Sequence, residues 1–113
     1  MINQINVGII GTGWCGGIRA NACADNPLVD KLYIAESNKE RLQELKQSLK
    51  LESSTDNWNE LIDNKNIDTI IISATPETTH FPMALASLKA GKNVFLKEPI
   101  ATTLKEAEEL IDV

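Results

Sequence analysis

Short apolar runs alternate with stretches of helical periodicity along most of the chain. Four of these runs are too short for helices, and the first and third are also rich in β-branched residues, which indicates strands. They span residues 5–10, 31–36, 67–74 and 93–97. The run at 67–74 is apolar on both faces, which suits a central strand of a parallel sheet that helices cover on each side. A short additional strand is predicted at residues 53–55.

Helices are predicted between these strands, because apolar residues recur there at spacings of three and four. The first helix runs from Trp14 until residues 25–27 (DNP) stop it. Ser37 and Glu40 have the spacing of a capping box and predict the start of the second helix. A short third helix is predicted to bury Trp58, Leu61 and Ile62. A fourth is predicted to begin at about Thr79, and the last one to open at Thr103.

Strands that alternate with helices form parallel sheets, because parallel neighbours need a crossover connection. Right-handed crossovers then give an open, doubly wound α/β sheet of the Rossmann type, with about five strands in the order 3-2-1-4-5 and helices on both faces. The linkers are short and no low-complexity segment interrupts the pattern, so residues 1–113 are predicted to form one domain.

Composition and charge exclude several classes of protein. The 113 residues carry a formal net charge of -5, which argues against a nucleic-acid partner that would need a basic face. No apolar run approaches the roughly 18–20 residues that cross a bilayer, and the N-terminus lacks a secretory signal pattern, so we expect a cytoplasmic protein without a membrane partner.

Cys15 and Cys23 lie eight residues apart on one predicted helix, too far for a disulfide. Neither cysteine has the spacing of a metal site.

Residues 11–16 (GTGWCG), called the glycine loop below, match the pattern G-x-G-x-x-G between the first strand and the first helix. In that pattern Gly11 permits the tight turn, Gly13 lets the backbone approach a diphosphate, and Gly16 lets helix and strand pack closely. The N–H groups and the positive dipole end of the helix hold the diphosphate. The pattern therefore predicts dinucleotide binding, and ordinary turn glycines are the alternative.

Glu36 ends the second predicted strand 20 residues after Gly16, where an acid accepts hydrogen bonds from an adenosine ribose. A carboxylate repels a 2′-phosphate, so NAD is the expected cofactor and NADP the less favoured one. Arg41, one turn into the next helix, could reach such a phosphate, and a surface position is its alternative. A methyltransferase or CoA-binding sheet competes for a glycine-rich first turn, although residues 7–10 (VGII) lack the acid that commonly precedes a methyltransferase loop.

Several further segments carry a family resemblance: residues 74–80 (ATPETTH), 90–94 (AGKNV) and 98–99 (EP), together with the glycine loop and its strand. In this collinear order they resemble the cofactor domain of the glucose-fructose oxidoreductase/inositol dehydrogenase family over nearly the whole chain. The resemblance implies NAD(P)-dependent oxidation or reduction of a sugar, polyol or related small molecule. It also implies a second α+β domain that supplies substrate contacts and often oligomer contacts.

The resemblance also implies roles for individual residues. Thr75 and Pro76 match the family's Thr-Pro beside the nicotinamide half of the cofactor, and His80 matches the histidine that opens the next helix. Packing or local hydrogen bonding is the favoured role of His80, because nothing nearby in sequence orients its ring as a base. The residues expected to bind the cofactor are Gly11, Thr12, Gly13, Trp14, Cys15, Gly16, Glu36, Arg41, Thr75, Pro76 and His80.

Residues 97–99 (KEP) depart from the family's Glu-Lys-Pro, in which the lysine lies close to the reacting carbon. Successive side chains of an extended segment face opposite sides, so Lys97 does not simply inherit that role. A bulge could return Lys97 to the nicotinamide, Glu98 could act there instead, or the domain could be a non-catalytic NAD-binding sensor or scaffold. Lys97 and Glu98 are therefore the candidate catalytic residues, with a surface ion pair as the remaining alternative.

The last predicted helix is still apolar at Leu110, Ile111 and Val113, where the sequence ends without a cap. In the family, that helix leads to the rest of the sheet and then to the substrate domain. We therefore expect a truncated chain, a cofactor-binding part that does not turn over substrate alone. The full-length protein is expected to take a small-molecule substrate through the missing domain and can be a homo-oligomer.

Overall fold

A parallel sheet runs through the centre of the computed structural model, which describes residues 4–12, 14–74 and 79–96. All neighbouring strands in this part of the chain are parallel, in the order β3-β2-β1-β4-β5 of their appearance along the sequence. The strands are Ile5–Ile10 (β1), Val29–Ala35 (β2), Ser53–Thr55 (β3), Thr69–Ile72 (β4) and Asn93–Leu96 (β5). The order confirms the predicted Rossmann topology.

A helix lies in each connection between consecutive strands. The helices are Trp14–Asp25 (α1), Lys39–Ser48 (α2), Asn59–Asp63 (α3) and His80–Lys89 (α4). For residues 14–19 and Leu96 only the backbone is described. None of the helices in the described ranges has the length and apolar character that a bilayer crossing needs. The helix predicted from Thr103 onward lies outside the described residues.

Two strands differ in their bounds from the prediction. β2 begins two residues before Lys31, because Ile5 pairs with Val29 ahead of an irregularity in the register. The exposed side chains of Asp30 and Lys31 hid this pairing from the hydrophobic pattern. β4 covers only the middle of residues 67–74, although the Ser73 N–H still donates to the Ile10 carbonyl at 2.8 Å. Strand-like hydrogen bonding therefore extends past the formal end of β4.

The predicted capping box at the start of α2 is wrong. Asn38, and not Ser37, is the N-cap, and its Oδ1 accepts from the Arg41 N–H at 3.1 Å. The shift has a physical cause, because Glu36 Oε2 accepts from the Asn38 N–H at 2.9 Å and keeps the chain extended past Ser37. Asparagine and serine are about equally good N-caps, so the local contact of Glu36 decides between them.

Buried side chains fill both faces of the sheet, as expected for central parallel strands. On one face α1 and α2 cover Val7, Ile9, Leu32 and Ile34, with Ala20 and Leu45 from the helices. On the other face α3 and α4 cover a second cluster, which contains Ile10, Tyr33, Ala35, Leu61, Ile67, Ile70, Ile72, Ala74, Met83 and Ala84. Of the three apolar residues predicted to be buried near α3, only Leu61 is fully so. Trp58 and Ile62 are half-buried at the edge of this cluster.

A buried lysine ties the amino ends of the strands together. Lys92 is 8% exposed, and its Nζ donates to the carbonyl oxygens of Asn64 and Ile67, both at 2.9 Å. Burial lowers the pKa of Lys92, and the charges of Asp68 and Asp63 offset only part of that effect. This contact joins the approach to β5 to the loop before β4, at the end of the sheet opposite the glycine loop.

Candidate functional site

The carboxyl ends of β1, β2 and β4 lie side by side. Ile10 at the end of β1 pairs with Ala35 in β2 on one side and with Ile72 in β4 on the other. The residues that follow these strand ends, Gly11 and Glu36 among them, therefore meet at one edge of the sheet. Open α/β sheets bind their ligands at this edge.

Gly11 turns the chain from β1 toward α1 in a conformation that side chains rarely adopt. Its φ is +84°, and a Cβ there would lie 2.5 Å from the Cα of Ala74. Its N–H donates to the Ala35 carbonyl at 2.9 Å. The turn therefore packs against the backbone at the end of β4, in agreement with the tight-turn role predicted for Gly11.

The rest of the glycine loop leads directly into α1. Trp14, Cys15 and Gly16 form the first turn of this helix, whose N–H groups have no acceptor within the helix. The positive end of the α1 dipole thus lies at the same edge of the sheet as Gly11. Gly13 lies outside the described residues and no side chain of Trp14 or Cys15 is described, so their contacts with a diphosphate stay predictions.

Thr12 and Glu36 are joined by two hydrogen bonds. The Thr12 N–H donates to Glu36 Oε1 at 2.8 Å, and the Thr12 hydroxyl donates to the same oxygen at 2.5 Å. Thr12 is completely buried, whereas Glu36 is half-buried and lines the cavity described below. The acid that was predicted from its place at the end of the second strand is therefore held against the glycine loop.

The carboxyl of Glu36 has a pKa below its usual value. Partial burial raises the pKa, but the hydrogen bonds from the Thr12 hydroxyl and from the backbone N–H groups of Asn38 and Thr12 lower it. The positive charge of Arg41 lowers it further, and the sum of these effects favours the ionised form. Glu36 is thus a carboxylate at neutral pH, able to accept hydrogen bonds from hydroxyl groups of a ligand.

Arg41 reaches toward the glycine loop from the first turn of α2. Its Nε donates to the Thr12 carbonyl at 2.9 Å, and its Nη1 lies 3.3 Å from Glu44 Oε2. The Arg41 side chain is 34% exposed and lines the cavity. The structure thus places Arg41 beside the loop, and contact with a phosphate of the ligand stays a prediction.

A cavity of about 520 Å³ opens at this edge of the sheet, a volume in the range of small-molecule and cofactor sites. The sequence predicted Gly11, Thr12, Glu36 and Arg41 in this place, and all four line it. It did not predict the contributions of the segment after β3 and of Met83 in α4. These additional lining residues include Asp56, Trp58 and Met83. The strand order could have indicated the first two, because β3 lies beside β2 and its carboxyl end faces the same edge.

Among the described residues that line the cavity, His80 does not appear. Its side chain is completely buried, and Nε2 lies 2.9 Å from the Ala74 carbonyl oxygen. This position agrees with the packing role that the sequence favoured, and contact of His80 with the cofactor stays a prediction. Thr75, Pro76, Lys97 and Glu98 lie outside the described residues, and their roles stay predictions.

Comparison with known proteins assigns the chain to a family. The family model GFO_IDH_MocA, an oxidoreductase family with an NAD-binding Rossmann fold, matches residues 5–113. Levoglucosan dehydrogenase of Pseudarthrobacter phenanthrenivorans is 33% identical, over 98% of this chain and 30% of its own length. Myo-inositol 2-dehydrogenase of Thermotoga maritima is 30% identical, over 96% of this chain and 32% of its own. The chain thus spans about a third of the length of these curated relatives.

A solved structure supports the same assignment. Scyllo-inositol dehydrogenase from Lactobacillus casei, with bound cofactor NAD(H) and scyllo-inositol, has a TM-score of 0.88 and 25% sequence identity. The likeness covers 96% of this chain and 32% of that one. The relatives do not all share one cofactor, since the NADP(+)-dependent scyllo-inositol 2-dehydrogenase IolW of Bacillus subtilis is 27% identical over 96% of this chain and 30% of its own.

The alternatives left open by the sequence lose their support here. The named relatives are dehydrogenases, so a non-catalytic sensor or scaffold is not supported, nor is a methyltransferase or CoA-binding sheet. The strand order, the turn at Gly11, the acid at the end of β2 and the family match over residues 5–113 agree with one another. The chain belongs to the GFO_IDH_MocA oxidoreductase family and forms its NAD-binding Rossmann domain.

Proposed function

We propose that this chain is the cofactor domain of an NAD-dependent oxidoreductase that acts on a sugar, polyol or related small molecule. One observation carries the proposal: the half-buried, ionised Glu36 is bonded to the glycine loop at the mouth of a cavity of about 520 Å³. This arrangement offers a hydroxyl acceptor and a helix N-terminus at one site, as an adenosine ribose and its diphosphate require.

The residues of the site fit a dinucleotide. Glu36 would accept hydrogen bonds from the adenosine ribose, and the first turn of α1 would hold the diphosphate. Trp58 and Met83 add apolar surface to the cavity, which suits a base. When bound, the cofactor supplies the hydride donor or acceptor, while the protein supplies position and polar contacts.

NAD is the proposed cofactor in preference to NADP. The carboxylate of Glu36 is negatively charged at neutral pH, because its pKa lies below its usual value. A 2′-phosphate at the ribose would bring like charge to this carboxylate, whereas a free hydroxyl donates a hydrogen bond to it. Arg41 lines the same cavity, and its Nε already donates to the Thr12 carbonyl at 2.9 Å.

The chemical step is proposed to involve the segments outside the described residues. Thr75 and Pro76 would lie beside the nicotinamide, and Lys97 or Glu98 would provide the polar group at the reacting carbon. A second domain, supplied by the rest of a longer protein, would bind the substrate and contribute contacts between subunits. On this proposal the protein acts in the cytoplasm, and the present chain binds cofactor without turning over substrate.

Calorimetric titration with NAD(H), NADP(H), CoA and S-adenosylmethionine tests the cofactor assignment. We expect saturable binding of NAD(H), and at least roughly tenfold weaker binding of NADP(H). Glu36→Gln should reduce the preference for NAD(H), because it removes the charge that repels a 2′-phosphate. Glu60→Gln, the same charge change at an exposed position of α3, serves as the control. An absence of both heat and thermal shift with NAD(H) would contradict the proposal.

The proposed activity needs the full-length protein. We expect turnover of at least one polyol or keto-sugar in a screen that monitors NADH absorbance, and loss of that turnover in Lys97→Ala or Glu98→Ala. Tight NAD(H) binding with no turnover of any polyol or keto-sugar in the full-length protein would count against the oxidoreductase assignment.

A further inference from the structure

We propose that Arg41 is a positioning residue that holds the glycine loop in its ligand-binding shape, and that it does not act as a direct ligand of a 2′-phosphate. The inference rests on the proposed function, since it concerns the same site. It starts from the Nε of Arg41, which donates to the carbonyl oxygen of Thr12 at 2.9 Å.

Four residues form a closed ring of hydrogen bonds, called the clamp below. The Thr12 N–H donates to Glu36 Oε1 at 2.8 Å, and Glu36 Oε2 accepts from the Asn38 N–H at 2.9 Å. Asn38 Oδ1 accepts from the Arg41 N–H at 3.1 Å, and Arg41 Nε closes the ring on the Thr12 carbonyl. The clamp thus joins the first strand-helix turn to the start of α2.

The clamp grips Thr12 from two sides with opposite charges. A carboxylate accepts from its N–H and hydroxyl, while a guanidinium donates to its carbonyl. Thr12 is 0% exposed, so water does not replace these partners without opening the turn. Bonds to both the N–H and the carbonyl restrain the two backbone dihedral angles of Thr12, since the peptide bond itself is planar. The clamp therefore acts on the part of the loop that leads to the diphosphate.

The other described contact of the Arg41 side chain, an ion pair with Glu44, contributes little to the orientation of that side chain. Glu44 lies 3.3 Å from Nη1 and its side chain is 67% exposed. Exposed pairs at this helical spacing contribute little to stability. The Nε bond to the carbonyl of the buried Thr12 is the contact that fixes where the side chain points. Glu44→Gln consequently removes the ion pair without touching the clamp and is the matched control.

Arg41→Met tests the proposal, because methionine keeps the length of the apolar stem and removes the donor. We expect Arg41→Met to weaken binding of NAD and of NADP by the same factor, roughly tenfold, since both cofactors carry the same diphosphate. Glu44→Gln is expected to bind both within about twofold of the wild type. A loss confined to NADP would show direct contact with the 2′-phosphate and overturn the proposal, as would unchanged binding of both.

Amide hydrogen exchange separates positioning from a general loss of stability. In Arg41→Met the Thr12 amide should exchange at least about tenfold faster, while the amide of buried Ile34 in β2 keeps its wild-type protection. Equal acceleration at both amides would mean that Arg41 stabilises the whole fold and would overturn the inference. If the wild type bound neither NAD nor NADP, the proposed function would fail, and the exchange experiment would still decide whether the clamp holds Thr12.

Discussion

Glu36 Oε1 accepts two hydrogen bonds from Thr12, one from the backbone N–H at 2.8 Å and one from the hydroxyl at 2.5 Å. The two residues are 24 positions apart in sequence and belong to different strand ends. Their contact couples the position of the acid that is expected to contact the ribose to the conformation of the loop that is expected to hold the diphosphate. A substitution at either residue should therefore change the position of the other.

Thr12→Val should destabilise the protein by about 1–2 kcal/mol, because it removes the hydroxyl donor to a carboxylate while preserving shape and the backbone N–H. The free energy of unfolding in urea measures this effect. Thr69→Val in β4 is the control, since the described part of the structure shows no side-chain hydrogen bond for Thr69. Equal losses in the two variants would mean that the Thr12 hydroxyl contributes nothing specific.

The acid dependence of stability should contain a contribution from Glu36. Its pKa is lower in the folded state than its usual 4.5, so its ionised form stabilises the fold above that pH. The contribution is lost as pH falls through the lowered folded value. We therefore expect the difference in unfolding free energy between wild type and Glu36→Gln to be largest at neutral pH and to shrink below about pH 4.5. Urea denaturation at a series of pH values measures it, and a difference that stays constant would contradict the assignment.

Gly11 and Gly91 both have a positive φ and form a matched pair for comparing steric effects. Gly11 has φ +84° and a Cβ there would meet the Ala74 backbone at 2.5 Å, whereas Gly91 has φ +79° with nothing within 4 Å. Gly91→Ala should cost about 1 kcal/mol from conformational strain alone. Gly11→Ala should cost more than about 3 kcal/mol, since overpacking adds to the same strain. Thermal and urea unfolding of both variants test this difference, and equal costs would mean that Ala74 yields without penalty.

Lys92→Met should destabilise the protein by about 2–3 kcal/mol, because it leaves the carbonyl oxygens of Asn64 and Ile67 without their shared donor. Lys89→Met, at an exposed position in the last turn of α4, should stay within about 0.5 kcal/mol of the wild type. Urea unfolding measures both. Similar stabilities for the two variants would show that water satisfies the carbonyl groups in place of Lys92.

The strand order and the position of the site were predictable from sequence for a physical reason. An apolar run such as residues 67–74 indicates a strand that is buried on both faces. Repeated right-handed crossovers then leave few strand orders possible. The glycine pattern and Glu36 then follow from their places at strand ends. These features depend on local chemistry and on chain connectivity, which a sequence states directly.

The contacts inside the site were not predictable in the same way. Nothing in the sequence indicates that Arg41 bonds to the Thr12 carbonyl across 29 positions, or that Asn38 caps α2 in place of Ser37. Both outcomes depend on where Glu36 directs its carboxylate after β2 is paired. Trp58 was predicted only as a core residue, although the place of β3 beside β2 could have indicated that the segment after β3 lines the cavity.

The Lys92 contact and the clamp lie at opposite ends of the same sheet and share no residue. Substitutions at the amino ends and at the carboxyl ends of the strands should therefore affect different properties of the protein. Substitutions that rigidify the amino ends, near Asn64 and Ile67, offer a route to a more heat-resistant protein with unaltered cofactor selectivity. Engineering of the carboxyl ends, in contrast, alters ligand recognition and loop geometry together, so a change of cofactor preference there needs compensating substitutions designed as a set.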